Sequence, residues 1–275
     1  MAILQPTYSE YERCAESRGA TIVRIPLTEE HDFAAASESV LPFVDPNLKM
    51  VILCNPNNPT GSTIPRSDVL TILKAVDERT LVLVDEAYVE YCPEVSVLGD
   101  VETWPNLIVV RTFSKAYALS GMRVGFAAMG GSARTEFSKA IRHPWTVGIL
   151  SLVAAEAALD DQAYLKSMVA STITLREHFA TELSRTSRLR PLPSRTGFFL
   201  TKLETDDISP TRLCDALQSL AIFVRRFGKS SAPLERRYIR LTTQGESANS
   251  RMIKSIREVM GAVSHLPIRI GPGAT

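Results

Sequence analysis

Neither sign of charge dominates this sequence of 275 residues: 31 Lys and Arg against 30 Asp and Glu leave a formal net charge of +1. That balance argues against a polyanion binder, whose affinity rests on surplus cations. Cysteine is scarce. Cys14, Cys54, Cys92 and Cys214 form no C-x-x-C pair, so neither a zinc site nor a disulfide framework is expected, and the thiols read as those of a reducing compartment. Long hydrophobic runs are missing too. The longest, around Val147–Leu159, is too short for a membrane span and contains Glu156. The N-terminal Met-Ala-Ile-Leu-Gln-Pro lacks the basic and apolar regions of a signal peptide. His31, His143, His178 and His265 share no local spacing, and no metal site is expected. The expectation is a soluble, cytoplasmic protein with no nucleic-acid or membrane partner.

What remains is ordinary globular usage, with enough length to bury one large core or two modest ones. The first two-thirds alternates short Val/Ile/Leu runs with amphipathic stretches. Ala20–Ile25, Met50–Cys54, Leu81–Val84, Leu107–Val110 and Val124–Ala128 read as strands covered on both faces, as in a mainly parallel sheet. Ser9 suits the cap of a helix that Gly19 would end, and Pro65 suits the first turn of another. From about Asp161 the pattern changes: a long helix to about Thr186, strand-like runs at Phe198–Leu203, Ile222–Arg225 and Tyr238–Thr242, a helix at about Ala248–His265, and a loose tail. The reading is an α/β domain over 1–160 and a smaller α+β C-terminal domain over 161–275.

Three strand ends carry chemistry, in the place where α/β sheets bind ligands. Met50–Cys54 runs into Asn55-Pro56-Asn57-Asn58-Pro59-Thr60-Gly61, which alone is equally a rigid turn. The next strand stops at Asp85-Glu86-Ala87-Tyr88, where the acid is either a ligand-edge group or a helix cap. The third exits through Arg111-Thr112-Phe113-Ser114-Lys115 to Ser120-Gly121-Met122-Arg123. A lysine among small residues, with Ser114 and Arg123 near it, is a candidate reactive amine rather than a solvated one. An amide, a carboxylate with a phenol, and a lysine with a hydroxyl and a guanidinium suit pyridoxal 5'-phosphate.

The motifs NPNNPTG, VDEAYVEY and RTFSKAYALSGMRVG resemble, in order and spacing, the series of fold-type I, class I/II aminotransferases. The resemblance is greatest to the histidinol-phosphate aminotransferase branch and runs from Pro6-Thr7-Tyr8 to the last helix. It implies a three-layer α/β/α large domain, a homodimer, and transfer of an amino group from an amino donor to a keto acid or aldehyde. Lys115 matches the Schiff-base lysine and proton shuttle, and Asp85 the partner of the pyridine nitrogen. Asn58 and Tyr88 match the partners of the ring's 3-oxygen, and Ser114 and Arg123 the phosphate binders. Thr112 sits near the phosphate in relatives, or is a packed strand-end hydroxyl. Arg240 aligns with the arginine that grips the substrate carboxylate. Arg225 and Arg226 read as a solvated pair, with Arg225 kept as a candidate for a second anionic group. Cys54 reads as a small buried apolar group, and Trp145 as either core or substrate contact.

Two departures accompany the resemblance. Relatives carry an arm, a helix and a phosphate-binding turn ahead of the segment matching Pro6-Thr7-Tyr8, so the N-terminal part of the family domain is expected to be absent here. Weaker cofactor retention would follow. The family's Ala-Asn-Phe segment matches Thr196-Gly197-Phe198, with glycine in the asparagine's place. Two other functions stay open. One is a decarboxylase resembling threonine-phosphate decarboxylase, encouraged by Pro144-Trp145 and by Glu246-Ser247-Ala248-Asn249 after Arg240. The other is a non-catalytic ligand-sensing module.

Overall fold

The computed structural model describes residues 1–140, 146–186, 188–228 and 231–264. Two sheets organise it. The first has six strands in the order β2-β1-β3-β4-β5-β6: β1 Ala2–Gln5, β2 Val23–Pro26, β3 Met50–Cys54, β4 Leu81–Asp85, β5 Leu107–Thr112 and β6 Gly125–Met129. All neighbouring pairs are parallel except β5 and β6. Val51, Leu53, Val82, Val84, Leu107 and Val109 are fully buried at its centre. Burying each such side chain is worth about 1.5–3 kcal/mol, so a one-residue slip of a central strand would be costly. The sheet is the mainly parallel α/β layer expected from those apolar runs.

The second sheet has the order β7-β8-β10-β9 and is antiparallel throughout: β7 Leu189–Pro191, β8 Phe198–Leu203, β9 Arg225–Arg226 and β10 Tyr238–Thr242. Helices Gln162–Ser184, Pro210–Ser219 and Glu246–Ser264 pack on it through Phe179, Leu183, Leu213, Leu217 and Ile256. The cores are not wholly separate, because Leu192, Leu200, Leu234 and Tyr238 join the cluster under the first sheet.

Some details differ from the sequence reading. Ala2–Gln5 is a buried inner strand, and four residues at a chain end carry too little periodicity to announce it. Tyr8, not Ser9, holds the cap position of the helix Ser9–Ser17, with no side-chain cap bond. Gly19 does close that helix, at φ +67°. The apolar stretch near 147–159 is the helix Ile149–Asp160, on which Ile149 and Leu150 are 71% and 75% exposed. The outer strand β6 is also open, since Phe126 is 42% exposed, so two-sided burial holds for the inner strands only. No described helix is long and apolar enough to cross a membrane. Pro144, Trp145 and the C-terminal tail lie outside the described residues.

Candidate active site

The site stands at the carboxyl ends of β1, β3, β4 and β5. After β3, the Asn55–Gly61 turn is locked from within. Buried Asn55 closes it by donating Nδ2 to the Ile64 carbonyl and accepting the Ile64 N–H on Oδ1, both at 2.9 Å. Asn57 ties it to β1, with Nδ2 donating to the Pro6 carbonyl and to Thr60 Oγ1, and Oδ1 accepting from Thr7 Oγ1 at 2.7 Å. Gly61 has φ +75°, and a Cβ there would fall 2.1 Å from Ser194 Oγ. Glycine therefore lets the turn touch the loop before β8, where the Arg195 N–H donates to the Gly61 carbonyl. So braced, Asn58 presents its amide to the cavity.

At the end of β4, strand alternation separates two neighbouring acids. Glu86 is fully buried and saturated, accepting from Ser96 Oγ, the Val97 N–H and Arg111. Asp85 faces the cavity and accepts from Tyr11 and from the Ala87 N–H. After β5, Phe113 and Val124 pack with Ala155 and pin the loop that carries Lys115. Thr112 Oγ1 donates to Ser114 Oγ at 2.9 Å and accepts the Ser114 N–H, which leaves the Ser114 hydroxyl proton for another acceptor. Arg123 donates one N–H to the Ser120 carbonyl and is otherwise exposed toward the same space.

Asp85, Tyr88, Thr112, Ser114, Lys115, Asn58 and Arg123 thus line one cavity of about 240 Å³, together with Tyr8, Tyr11 and Cys54. Tyr8, Asn58, Tyr88 and Lys115 also line a second chamber of about 350 Å³, which adds Arg225 and Arg240. Those two arginines open in turn onto an outer chamber of about 870 Å³. The three chambers form one cleft, with first-sheet residues inside and second-sheet residues outside. Arg240 donates to Asn58 Oδ1 at 2.6 Å, so the two candidates touch each other. Its guanidinium lies 4.8 Å over the Phe198 ring, which meets the Tyr88 ring edge-on. Arg225 pairs with Arg240 across β9 and β10, while Arg226 turns away to Asp215. Both arginines are exposed, as expected of a solvated pair, and Arg225 also lines the cavity.

Electrostatics follow from this crowding. Partial burial, then Arg240 and Arg123, draw the Lys115 ammonium below its usual pKa, with Asp85 opposing. Its Nζ lies 5.3 Å over the Tyr88 ring. Burial pushes the Tyr88 phenol up, so it stays protonated and can donate. Arg240 Nε is buried without a partner in the described structure. A Cβ at Gly197 would meet Thr172 and the Tyr91 hydroxyl, so that position faces the helix Gln162–Ser184. Thr7, Tyr8, Tyr11 and Asn57 were given no role from sequence: Thr7 and Tyr8 entered only in the segment where the resemblance begins, Asn57 only within the Asn55–Gly61 turn, and Tyr11 not at all.

A mainly parallel sheet with an amine, a carboxylate, a phenol and a loop bearing Ser114 and Arg123 at its strand ends suits a pyridoxal-phosphate enzyme of the large α/β type. Residues 1–255 match the family Aminotransferase class I and II. The histidinol-phosphate aminotransferase of Methanococcoides burtonii is 35% identical, over 94% of this chain and 68% of its own length. The histidinol-phosphate aminotransferase of Sinorhizobium meliloti, solved with pyridoxal-5'-phosphate, superposes with a TM-score of 0.86 at 31% identity, covering 95% of this chain and 70% of that one. The L-threonine-O-3-phosphate decarboxylase of Porphyromonas gingivalis gives 0.81 at 26% identity, covering 94% and 76%. The chain belongs to the class I and II aminotransferases and is a pyridoxal-phosphate-dependent transaminase; neither the decarboxylase nor the sensor is favoured.

The donor set fits that cofactor. Asp85 offers a half-buried carboxylate, Asn58 Nδ2 and the Tyr88 hydroxyl offer neutral donors, and Ser114 and Arg123 offer free protons to an anion.

Proposed function

We propose that this chain is a histidinol-phosphate aminotransferase-like enzyme that takes the amino group of an amino-alcohol phosphate or amino acid and passes it to a keto acid or aldehyde. The observation that carries the reading is the series of adjoining cavities that share Asn58, Tyr88 and Lys115 on the Asp85 side and Arg225 and Arg240 on the other. When bound, pyridoxal phosphate supplies an aldehyde open to attack by an amine and a ring that draws electrons from the substrate Cα. Lys115, whose ammonium is drawn below its usual pKa by partial burial and the nearby arginines, would be the amine that holds the cofactor and the group that moves the Cα proton. Asp85 keeps the ring nitrogen protonated. Asn58 and Tyr88 hold the ring oxygen, and Thr112, Ser114 and Arg123 cradle the phosphate. Arg240 holds the substrate's anionic group through its fork, with Arg225 adding charge from the next strand.

We also assign the cytoplasm, supported by four free cysteines, and a homodimer, supported by the exposed apolar helix Ile149–Asp160. A domain division at 160/161 is supported by the helix break at Asp161.

The test loads the chain with pyridoxal phosphate and offers a panel of amino donors, histidinol phosphate among them, with a keto acid acceptor. Formation of the acceptor's amino acid without carbon dioxide is the expected result. Stoichiometric carbon dioxide would identify a decarboxylase, and neither product a sensor. Borohydride reduction and peptide mapping should place the cofactor mass on Lys115 and nowhere else.

A further inference from the structure

Tyr11 lies one helical turn beyond Tyr8 in the helix Ser9–Ser17, and the two rings meet edge-on with centroids 5.5 Å apart. Its hydroxyl donates to Asp85 Oδ2 at 2.5 Å. The Ala87 N–H donates to Oδ1 at 3.0 Å. Each carboxylate oxygen thus has one fixed donor, and the pair sets the rotation of the group and the direction of its remaining lone pairs. We propose that Tyr11 is a positioning residue of the cofactor site, holding Asp85 oriented and ionised toward the pyridine nitrogen; this rests on the role given to Asp85 above.

The charge balance agrees with the geometry. Burial favours the neutral form of Asp85, and the Tyr11 hydroxyl is the first influence opposing it, ahead of the Ala87 N–H and Lys115. Tyr11 itself is pushed far up by burial, then by Cys54 and Asp85, so it remains a protonated donor at every working pH. Cys54, the β3 partner of Asp85, is held as a thiol, pushed up to about 12 by burial. Neither neighbour competes with Asp85 for the anionic role. Without the Tyr11 hydroxyl, Oδ2 keeps a buried lone pair with no donor, and the carboxylate gains freedom to rotate.

The experiment binds pyridoxal phosphate, isotope-labelled at its ring nitrogen, to the wild-type chain, Tyr11→Phe and Asp85→Asn, and follows the nitrogen signal by NMR between about pH 6 and 9. The wild type should keep a protonated ring nitrogen and Asp85→Asn a neutral one. Tyr11→Phe should pass from the first to the second as pH rises, with cofactor Kd raised about tenfold, as for one hydrogen bond to a charged group. Fluorotyrosine at position 11 keeps the ring, its packing and the donor, so it should retain the protonated signal and the wild-type Kd that Tyr11→Phe loses. It also answers the question should the phenylalanine variant not fold. Wild-type signal and Kd in Tyr11→Phe, or a neutral ring nitrogen with fluorotyrosine, would overturn the role of Tyr11. A protonated ring nitrogen in Asp85→Asn would instead overturn the Asp85 assignment beneath it.

Discussion

Asp85 and Glu86 are adjacent acids with opposite solutions to burial. Glu86 is satisfied by Arg111, the Ser96 hydroxyl and the Val97 N–H, whereas Asp85 keeps lone pairs free for a ligand and pays in desolvation. Burial raises the folded pKa of Asp85 above its unfolded value, so the folded, cofactor-free chain holds this proton more tightly. Stability from this group is then fully present below the ordinary carboxylate value of about 3.9, and is lost as pH rises toward the folded value. Asp85→Asn can keep the Ala87 contact on its oxygen and turn its amide to Tyr11. Cofactor-free Asp85→Asn should melt above the wild type at neutral pH and with it near pH 4, while losing cofactor affinity. Melting curves at the two pH values check this, and a variant that melts lower at neutral pH would contradict the sign. These roles were partly legible in sequence, because Asn58, Asp85, Tyr88, Lys115 and Arg123 sit inside contiguous motifs at strand ends. Tyr11 was not, because its partner lies 74 residues away and no spacing rule connects a helix phenol to a strand-end acid.

Among elements, β3, β8 and β10 are legible to the residue, since each is a dense apolar run bounded by turn formers. β7 is set by pairing with a neighbour rather than by its own composition, so the sequence carried little trace of it, and the strand-like run Ile222–Arg225 shrinks to the two-residue β9, which overlaps it at Arg225 alone. The Asn55–Gly61 turn was recognisable as rigid, but its bracing was not, because the partners of Asn57 come from Pro6 and Thr7 beyond β1. Asn57→Ala deletes the bonds to Pro6 and Thr60 and leaves buried Thr7 Oγ1 without its acceptor. At about 1 kcal/mol per bond, with more for the unpaired hydroxyl, the loss should be about 2–4 kcal/mol in urea unfolding. Cofactor affinity should fall as well, since Asn58 loses its support. A loss below about 1 kcal/mol would mean that the turn is held by its prolines alone.

At the scale of the whole molecule, the cleft exists because two sheets with separate helices share part of one core, bringing Arg240 against Asn58. The same arrangement leaves the helix Ile149–Asp160 with only Ala155 buried. Ile149, Leu150, Leu152 and Val153 are between 48% and 75% exposed, and Ser151 of the same helix donates to the carbonyl of exposed Met122. An exposed apolar face of this kind marks an association surface. Because these side chains touch little within the chain, charging them should cost the fold less than about 0.5 kcal/mol. The expectation for Ile149→Glu with Leu150→Glu is therefore an unchanged urea midpoint together with a fall in mass by light scattering from two chains to one. The loop carrying Lys115 packs on the inner side of this helix through Ala155, so separation should also loosen cofactor binding. If the doubly charged variant still weighs as two chains, the helix is not the interface. If wild type and variant both weigh as one, the homodimer itself is wrong.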